Sequence, residues 1–301
     1  MKLAVFAELL AIFLWSLGNI FVAYLNLFFD NYTQNLFRYI SAALTLLICS
    51  LFLNRNGYLN SLKNLKVLLI PVLSVFIFQI FIVYGLVFTT PTVATLITRL
   101  SVIFVDMLSF FLFSEEKVAI SSKGFITGTL LSFSGVSGII LTGSGLFYSG
   151  ELFLTGVVFL LLASTFWAIY TVSVKIALRN SDPLSATVNI FLFSGIMYLP
   201  FSTLTGGIHE VFNVELTINL LLIVSGILSI GFANFLNYYA IGRLGASLPA
   251  NLQILLPVFT GILSVIIFGE TVSTHKMFFS LLTLIGCWLI IKTSTKAGVE
   301  N

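Results

Sequence analysis

Apolar residues in this chain come in runs of about 20, and each run ends at a short polar or glycine-bearing break. The runs lie at roughly 3–27, 31–53, 65–88, 92–113, 122–142, 151–178, 183–204, 217–241, 245–268 and 275–293. Each is long enough to cross the hydrocarbon core as a helix at about 1.5 Å per residue. Alternating segments of about ten residues, the mark of a membrane β-barrel, are not present. Backbone groups inside lipid must then be satisfied within helices, so the pattern predicts an all-α integral membrane protein of ten transmembrane helices.

Composition agrees: 58% of the 301 residues are hydrophobic, 8% are charged and 31 are phenylalanine. Ordinary soluble domains do not have that balance. The first run could be mistaken for a secretory signal, but it is too long and contains Glu8, so it is read as the first spanning helix. Basic residues sort by loop. With the N-terminus inside, Lys2, Arg55, Lys63, Lys66, Lys117, Lys123, Lys175, Arg179, Arg243, Lys292 and Lys296 fall on the cytoplasmic side and Lys276 alone on the other. This predicts a multi-pass protein of the inner (cytoplasmic) membrane with both termini cytoplasmic, and it leaves Arg38 and Arg99 as the basic residues within the bilayer. It does not suit nucleic acid.

The chain repeats itself. A shift of 152 places Trp15 on Trp167 and Asp30 on Asp182, and a shift of 155 places Tyr84 on Tyr239, Phe104 on Phe259, Ser109 on Ser264 and Glu115 on Glu270. The expected organisation is two five-helix repeats, 1–146 and 147–301, joined through the glycine-rich stretch at 141–150. Because five is odd, the second copy enters the membrane from the opposite side. Inverted repeats of this kind are a transporter pattern, with substrate bound near the midplane between halves that rock against each other.

Trp15, Ser16 and Asn19 in the first span, Arg38 followed by Ser41, Ala42 and Ala43 in the second, and the pairs Glu115-Glu116 and Gly269-Glu270 closing the fourth and ninth form a further pattern. It resembles the drug/metabolite transporter superfamily of the EamA type. The resemblance covers nearly the whole chain and implies ten helices, export or exchange of small metabolites, and a cavity built mainly by the third, fourth, eighth and ninth helices. Two features depart from that family. Ser101 and Val102 stand where a proline is frequent, whereas the ninth span keeps Pro257. Arg99 and Asp106 lie outside the pattern, and their repeat partners are Ile254 and Gly261.

The stretch from Pro91 to Glu116 reads as one helix carrying both charges on one face, about 10 Å apart along the axis. A charge at such depth costs roughly 2.5–3.5 kcal/mol, so each needs a partner, a wet cavity or a function. Arg99 and Asp106 could hold the two ends of a zwitterion, which makes an amino acid or a related solute the leading substrate. The rival is an organic or phosphorylated anion clamped by Arg38 and Arg99. Arg38 could instead tie helices together through backbone carbonyls, and Asp106 could sit in a salt bridge with Arg38 or a hydroxyl network. Asp106 is also a coupling candidate. Glu8, one turn or so inside its helix, reads as a water-exposed helix-end acid and otherwise as a second coupling site.

Polar amides at Asn19, Gln79, Asn234, Asn237, Asn251 and Gln253 should face inward, either to bind substrate or to link helices. Trp15, Tyr84 and the repeat-matched Tyr239 are candidates to line the cavity, while Trp167 is explained by packing. Pro257 frees the carbonyl near Gln253 and should kink the ninth span. Gly124, Gly128 and Ser132 form a small-residue stripe expected at a seam within the chain. His209, His275, Cys49 and Cys287 lack the partners that a metal, disulfide or nucleophile site needs, so no cofactor, metal or enzyme activity is expected. A membrane-embedded enzyme or a non-transporting subunit would be the alternatives from other classes. The carrier is expected to act as a monomer or weak homodimer.

Overall fold

A computed structural model describes residues 1–89, 91–141, 152–268 and 274–299. Ten helices among these residues are long and apolar enough to span a membrane, and no strand occurs among them. They are α1 (Lys2–Leu25), α2 (Asn31–Leu53), α3 (Leu65–Phe88), α4 (Val93–Leu112), α5 (Lys123–Leu141), α6 (Phe153–Ala177), α7 (Pro183–Leu204), α8 (Leu216–Leu244), α9 (Ser247–Ile267) and α10 (Met277–Thr295). The expected junction at 146/147 and the pair Gly269-Glu270 lie outside the described residues.

The repeat-matched aspartates do one job twice. Asp30 Oδ1 accepts from the backbone N–H of Tyr32 (2.7 Å) and Thr33 (3.0 Å) at the start of α2, and Asp182 Oδ1 accepts from Ser185 N–H (3.0 Å) at the start of α7. Each cap satisfies donors that the first turn leaves free, a contribution of about 1 kcal/mol.

Helix pairing follows the same symmetry. α3 packs along α6, and α8 packs along α1; α4 meets α6, and α9 meets α1. α2–α7 and α5–α10 pair each helix with its own counterpart. Exchanging the halves leaves this pattern unchanged. The stripe on α5 forms the expected internal seam: a Cβ on Gly128 would meet the Gly286 carbonyl of α10 at 2.8 Å, and Ser132 Oγ reaches Thr283 O at 3.4 Å.

Four spans are interrupted among the described residues: α7 breaks at Tyr198, and the interruptions of α4, α8 and α9 position the site. The uninterrupted helix expected from Pro91 to Glu116 is not found. It breaks into Pro91–Thr98 and Ser101–Leu112, Phe113 is extended, and Ser114–Ile120 forms a separate short helix. At the break Leu100 N–H turns back to Ile97 O (3.0 Å), and the Thr98 hydroxyl bonds Ala94 O (2.8 Å), so side-chain and three-residue bonds displace the regular ladder. α9 is interrupted by a 3₁₀ turn, Gln253–Leu255, just ahead of Pro257. The two breaks match at the 155-residue spacing. α8 contains a π-helical stretch, Gly226–Phe232, which swings Ser229 towards α2.

Candidate functional site

A cavity of about 410 Å³ lies between the halves, bounded below by the interrupted centres of α4, α8 and α9. Its walls come from α1 (Trp15, Gly18, Asn19), α2 (Gln34, Arg38, Tyr39), α3 (Phe78, Gln79) and α6 (Trp167, Tyr170). Thr98, Arg99, Ser229, Asn234 and Gln253 form its floor. The lining climbs to Asn26 and the exposed Asn31 in the α1–α2 connection, so the cavity opens on the face opposite the N-terminus. Its size suits a small metabolite.

Two arginines supply the formal charge. Arg38 is 6% exposed and donates from Nη2 to Ser229 Oγ at 2.7 Å. Gly18 of α1 leaves room for that bond, because a Cβ there would fall against the Ser229 side chain. Arg99 Nη1 donates to Gln253 O at 3.3 Å. Pro257 lacks the N–H that would meet Gln253 O four residues back; Leu256 N–H takes that carbonyl in the 3₁₀ turn instead, and the arginine of α4 adds a second donor to it. The Nε atoms of both arginines have no protein hydrogen-bond partner among the described residues. No aspartate or glutamate is among the described residues that line the cavity.

Of the expected site residues, Trp15, Asn19, Arg38, Gln79, Arg99 and Asn234 come together here. Gln79 Nε2 reaches Tyr39 Oη at 3.4 Å, and Asn234 Nδ2 donates to Ile230 O at 2.9 Å within α8. Four do not join them. Tyr84 is exposed and packs against Phe159 with ring centroids 5.6 Å apart. Tyr239, instead, lines a second cavity, about 430 Å³, at the N-terminal face, where Arg243 lies 5.7 Å from its ring centre. Asn251 and Asp106 bond each other away from the cavity: Asn251 Nδ2 donates to both Asp106 oxygens (2.8 and 3.0 Å), Ser247 Oγ donates to Asp106 Oδ1, and Thr129 Oγ1 donates to Asn251 Oδ1 at 2.8 Å. Asp106 thus sits in a hydroxyl and amide network rather than opposite Arg99 across a solute, and it has no salt bridge to Arg38.

Glu8 is a second correction. It is fully buried rather than water-exposed, and it accepts from Asn237 Nδ2 of α8 (2.8 Å) and Gln253 Nε2 of α9 (3.3 Å). α1 begins only two turns earlier, but its inward face there is closed by these two helices.

Trp167, assigned to packing from sequence, also lines the cavity, with Phe78 at 4.7 Å between ring centroids. The match of Trp15 to Trp167 in the repeat was the signal for it. Ser229 and Gln34 carried no such mark. The N-terminal face is sealed by contacts absent from the sequence reading. Glu116 Oε1 and Oε2 accept the backbone N–H groups of Ala246 (2.9 Å) and Ser247 (2.8 Å) at the start of α9, and Lys175 of α6 bonds both Glu115 and Glu116. Gly245, at φ +85°, makes the turn that aims those amides at Glu116. The bond to Lys175, first of all, holds the Glu115 carboxyl below its ordinary range.

Comparison with known proteins gives one consistent answer. The sequence model of the EamA-like transporter family matches residues 2–141 and again residues 154–292. An uncharacterized transporter of Haemophilus influenzae is 21% identical over 292 residues, covering 95% of this chain and 96% of its own length. One from Archaeoglobus fulgidus is 29% identical over 206 residues, 68% of each chain. A solved structure titled only as the crystal structure of a protein superposes with a TM-score of 0.82 at 16% identity, over 97% of this chain and 98% of that one.

Proposed function

Because this multi-pass membrane protein belongs to the EamA-like transporter family, within the drug/metabolite transporter superfamily, we propose that its central cavity carries a small organic anion with an aromatic or apolar body. Arg38 and Arg99 hold the carboxylate or phosphate, and Trp15, Trp167 and Phe78 flank the rest. The observation that carries this reading is the charge of the lining: two arginines with unpartnered Nε atoms and no acid beside them. A desolvated anion there gains charge-assisted hydrogen bonds at no cost of removing an existing counter-ion.

The amino-acid alternative loses its second anchor, since Asp106 is engaged with Ser247 and Asn251 outside the cavity. The matched breaks and exchange-symmetric pairing support two inverted halves, and the basic loops support an inner-membrane orientation with both termini cytoplasmic. In that orientation the cavity faces outward and the Glu116 and Asp106 contacts close the cytoplasmic side. One chain supplies the whole lining, so a monomer suffices for transport.

The test is flux in proteoliposomes with labelled phenylpyruvate, a sugar phosphate and phenylalanine. Phenylpyruvate or sugar phosphate flux is expected, reduced about 10- to 150-fold in Arg99→Ala or Arg38→Ala, the equivalent of about 1.5–3 kcal/mol for a hydrogen bond to a charged group. Asp106→Asn should leave the substrate preference unchanged. Flux of phenylalanine alone, or anion flux that survives both arginine substitutions, would refute the anion reading.

A further inference from the structure

We propose that Glu8 is a proton-binding site coupled to the cavity through Gln253, so that the carrier moves its anion together with, or in exchange for, a proton. This rests on the anion reading of the cavity above.

Glu8 lies between two spaces on one face of α1. Ala4, one turn before it, lines the cavity at the N-terminal face, and Trp15, two turns after it, lines the central one. Glu8, bonded to Asn237 and Gln253, lies in the layer between them. Gln253 belongs to both sides of this layer: its backbone carbonyl accepts Arg99, and its side-chain amide donates to Glu8.

No cation pairs with Glu8 among the described residues. Of the helices packed on α1, α8 carries Tyr238, whose hydroxyl shares a hydrogen with Tyr170 at 2.6 Å, and Tyr239 and Arg243, which lie together nearer the membrane edge. Among its described residues α9 carries no acid or base. α10, in the same apolar cluster as Ile12, brings Cys287, beside Ser132, and Lys292, over the Trp288 ring. The groups that meet Glu8 are therefore amide donors alone.

Chemistry at that point is a switch between acceptor and donor. As a carboxylate, Glu8 only accepts, and both amides present N–H to it. When it takes a proton from water, an O–H forms that needs an acceptor, and one amide must turn its oxygen towards Glu8. If Gln253 turns, the floor of the cavity is remade next to Arg99. Binding of an anion by Arg99, in reverse, draws that guanidinium off Gln253 O and loosens the residue that holds Glu8 in its charged form. Proton and anion then influence each other across one residue, reciprocally.

The experiment has two arms on wild type, Glu8→Gln and Glu8→Asp in liposomes. Infrared difference spectra between low and high pH should show a protonated-carboxyl band that disappears in Glu8→Gln and shifts in Glu8→Asp. Phenylpyruvate should accumulate against its gradient when a pH gradient is imposed on wild type, and Glu8→Gln should lose that accumulation while keeping phenylpyruvate counterflow, which also shows that the variant is folded. A carboxyl band unchanged by Glu8→Gln, or accumulation retained in Glu8→Gln, would overturn the proposal. No phenylpyruvate movement of any kind in wild type would count against the anion reading, and the infrared band would still decide whether Glu8 binds a proton.

Discussion

Replacing Glu116 by Gln should shift the carrier towards its inward-open form. In the structure, which the proposed orientation makes outward-open, the two Glu116 oxygens accept the first amides of α9, and Oε1 also meets Lys175. Gln keeps one acceptor oxygen and loses the charge, so one charge-assisted bond and half of the Lys175 pairing disappear. Lys175 retains Glu115. With hydrogen bonds to charged groups worth about 1.5–3 kcal/mol, we take about 2 kcal/mol for the loss. If these contacts exist only while the cytoplasmic side is shut, the inward-to-outward ratio rises about 30-fold, since 1.4 kcal/mol is about a factor of ten. Val105, fully buried against Ala168, Ala246 and Ala250 in the sealing layer, is the reporter. In a background without Cys49 and Cys287, a cysteine at 105 should react with an impermeant maleimide from the cytoplasmic side about 30-fold faster when Glu116 is Gln. Labelling no faster than in the parent would refute the assignment of these contacts to the gate.

Two further outcomes follow from the same geometry. Pro257→Ala restores an N–H that competes with Arg99 and Leu256 N–H for Gln253 O, so thermal unfolding should move up by the equivalent of up to about 3 kcal/mol while anion binding, which no longer has to draw Arg99 off that carbonyl, tightens. Glu115, held below the ordinary glutamate range first by its bond to Lys175, contributes to closure of the N-terminal face above that range, and the contribution is lost only as pH falls through the lowered value; Lys175→Met should return its NMR titration to the ordinary range.

Most of the architecture could be read from the chain because lipid imposes a strong rule on it. Ten apolar runs became ten helices whose ends differ from the sequence reading by a few residues, and Asp30 and Asp182 capped the helices they precede. Hydropathy does not register where a helix breaks. In α4 no proline or glycine marks the interruption, which comes from Thr98 and the packing around Arg99, so the helix read as continuous. Partner choice was also hidden. Depth along α4 was right for Arg99 and Asp106, but a face shared on one straight helix is lost when the helix breaks between them. Glu8 misled for a related reason: two turns from a chain end usually means water, and only the crossing of α8 and α9 over that face reverses it.

The two departures from the family pattern both lie in α4, and the structure answers one of them in α9. α9 keeps a proline, so the Gln253 carbonyl takes Leu256 N–H in a 3₁₀ turn and is open to a second donor; α4 lacks the proline and carries Arg99, one residue past the position matched to Gln253 by the repeat. With the arginine from one half on the carbonyl of the other, the shared break is kept and the fold joins its halves at the floor of the cavity. The bond is long for a guanidinium at 3.3 Å, and Nε has no protein partner. A bond of that kind holds the floor together between cycles yet can be surrendered to a better acceptor. An entering anion is such an acceptor, and a neutral solute is not. On the proposed anion reading, charge selection and the loosening of the α4–α9 contact therefore belong to the same event at Arg99.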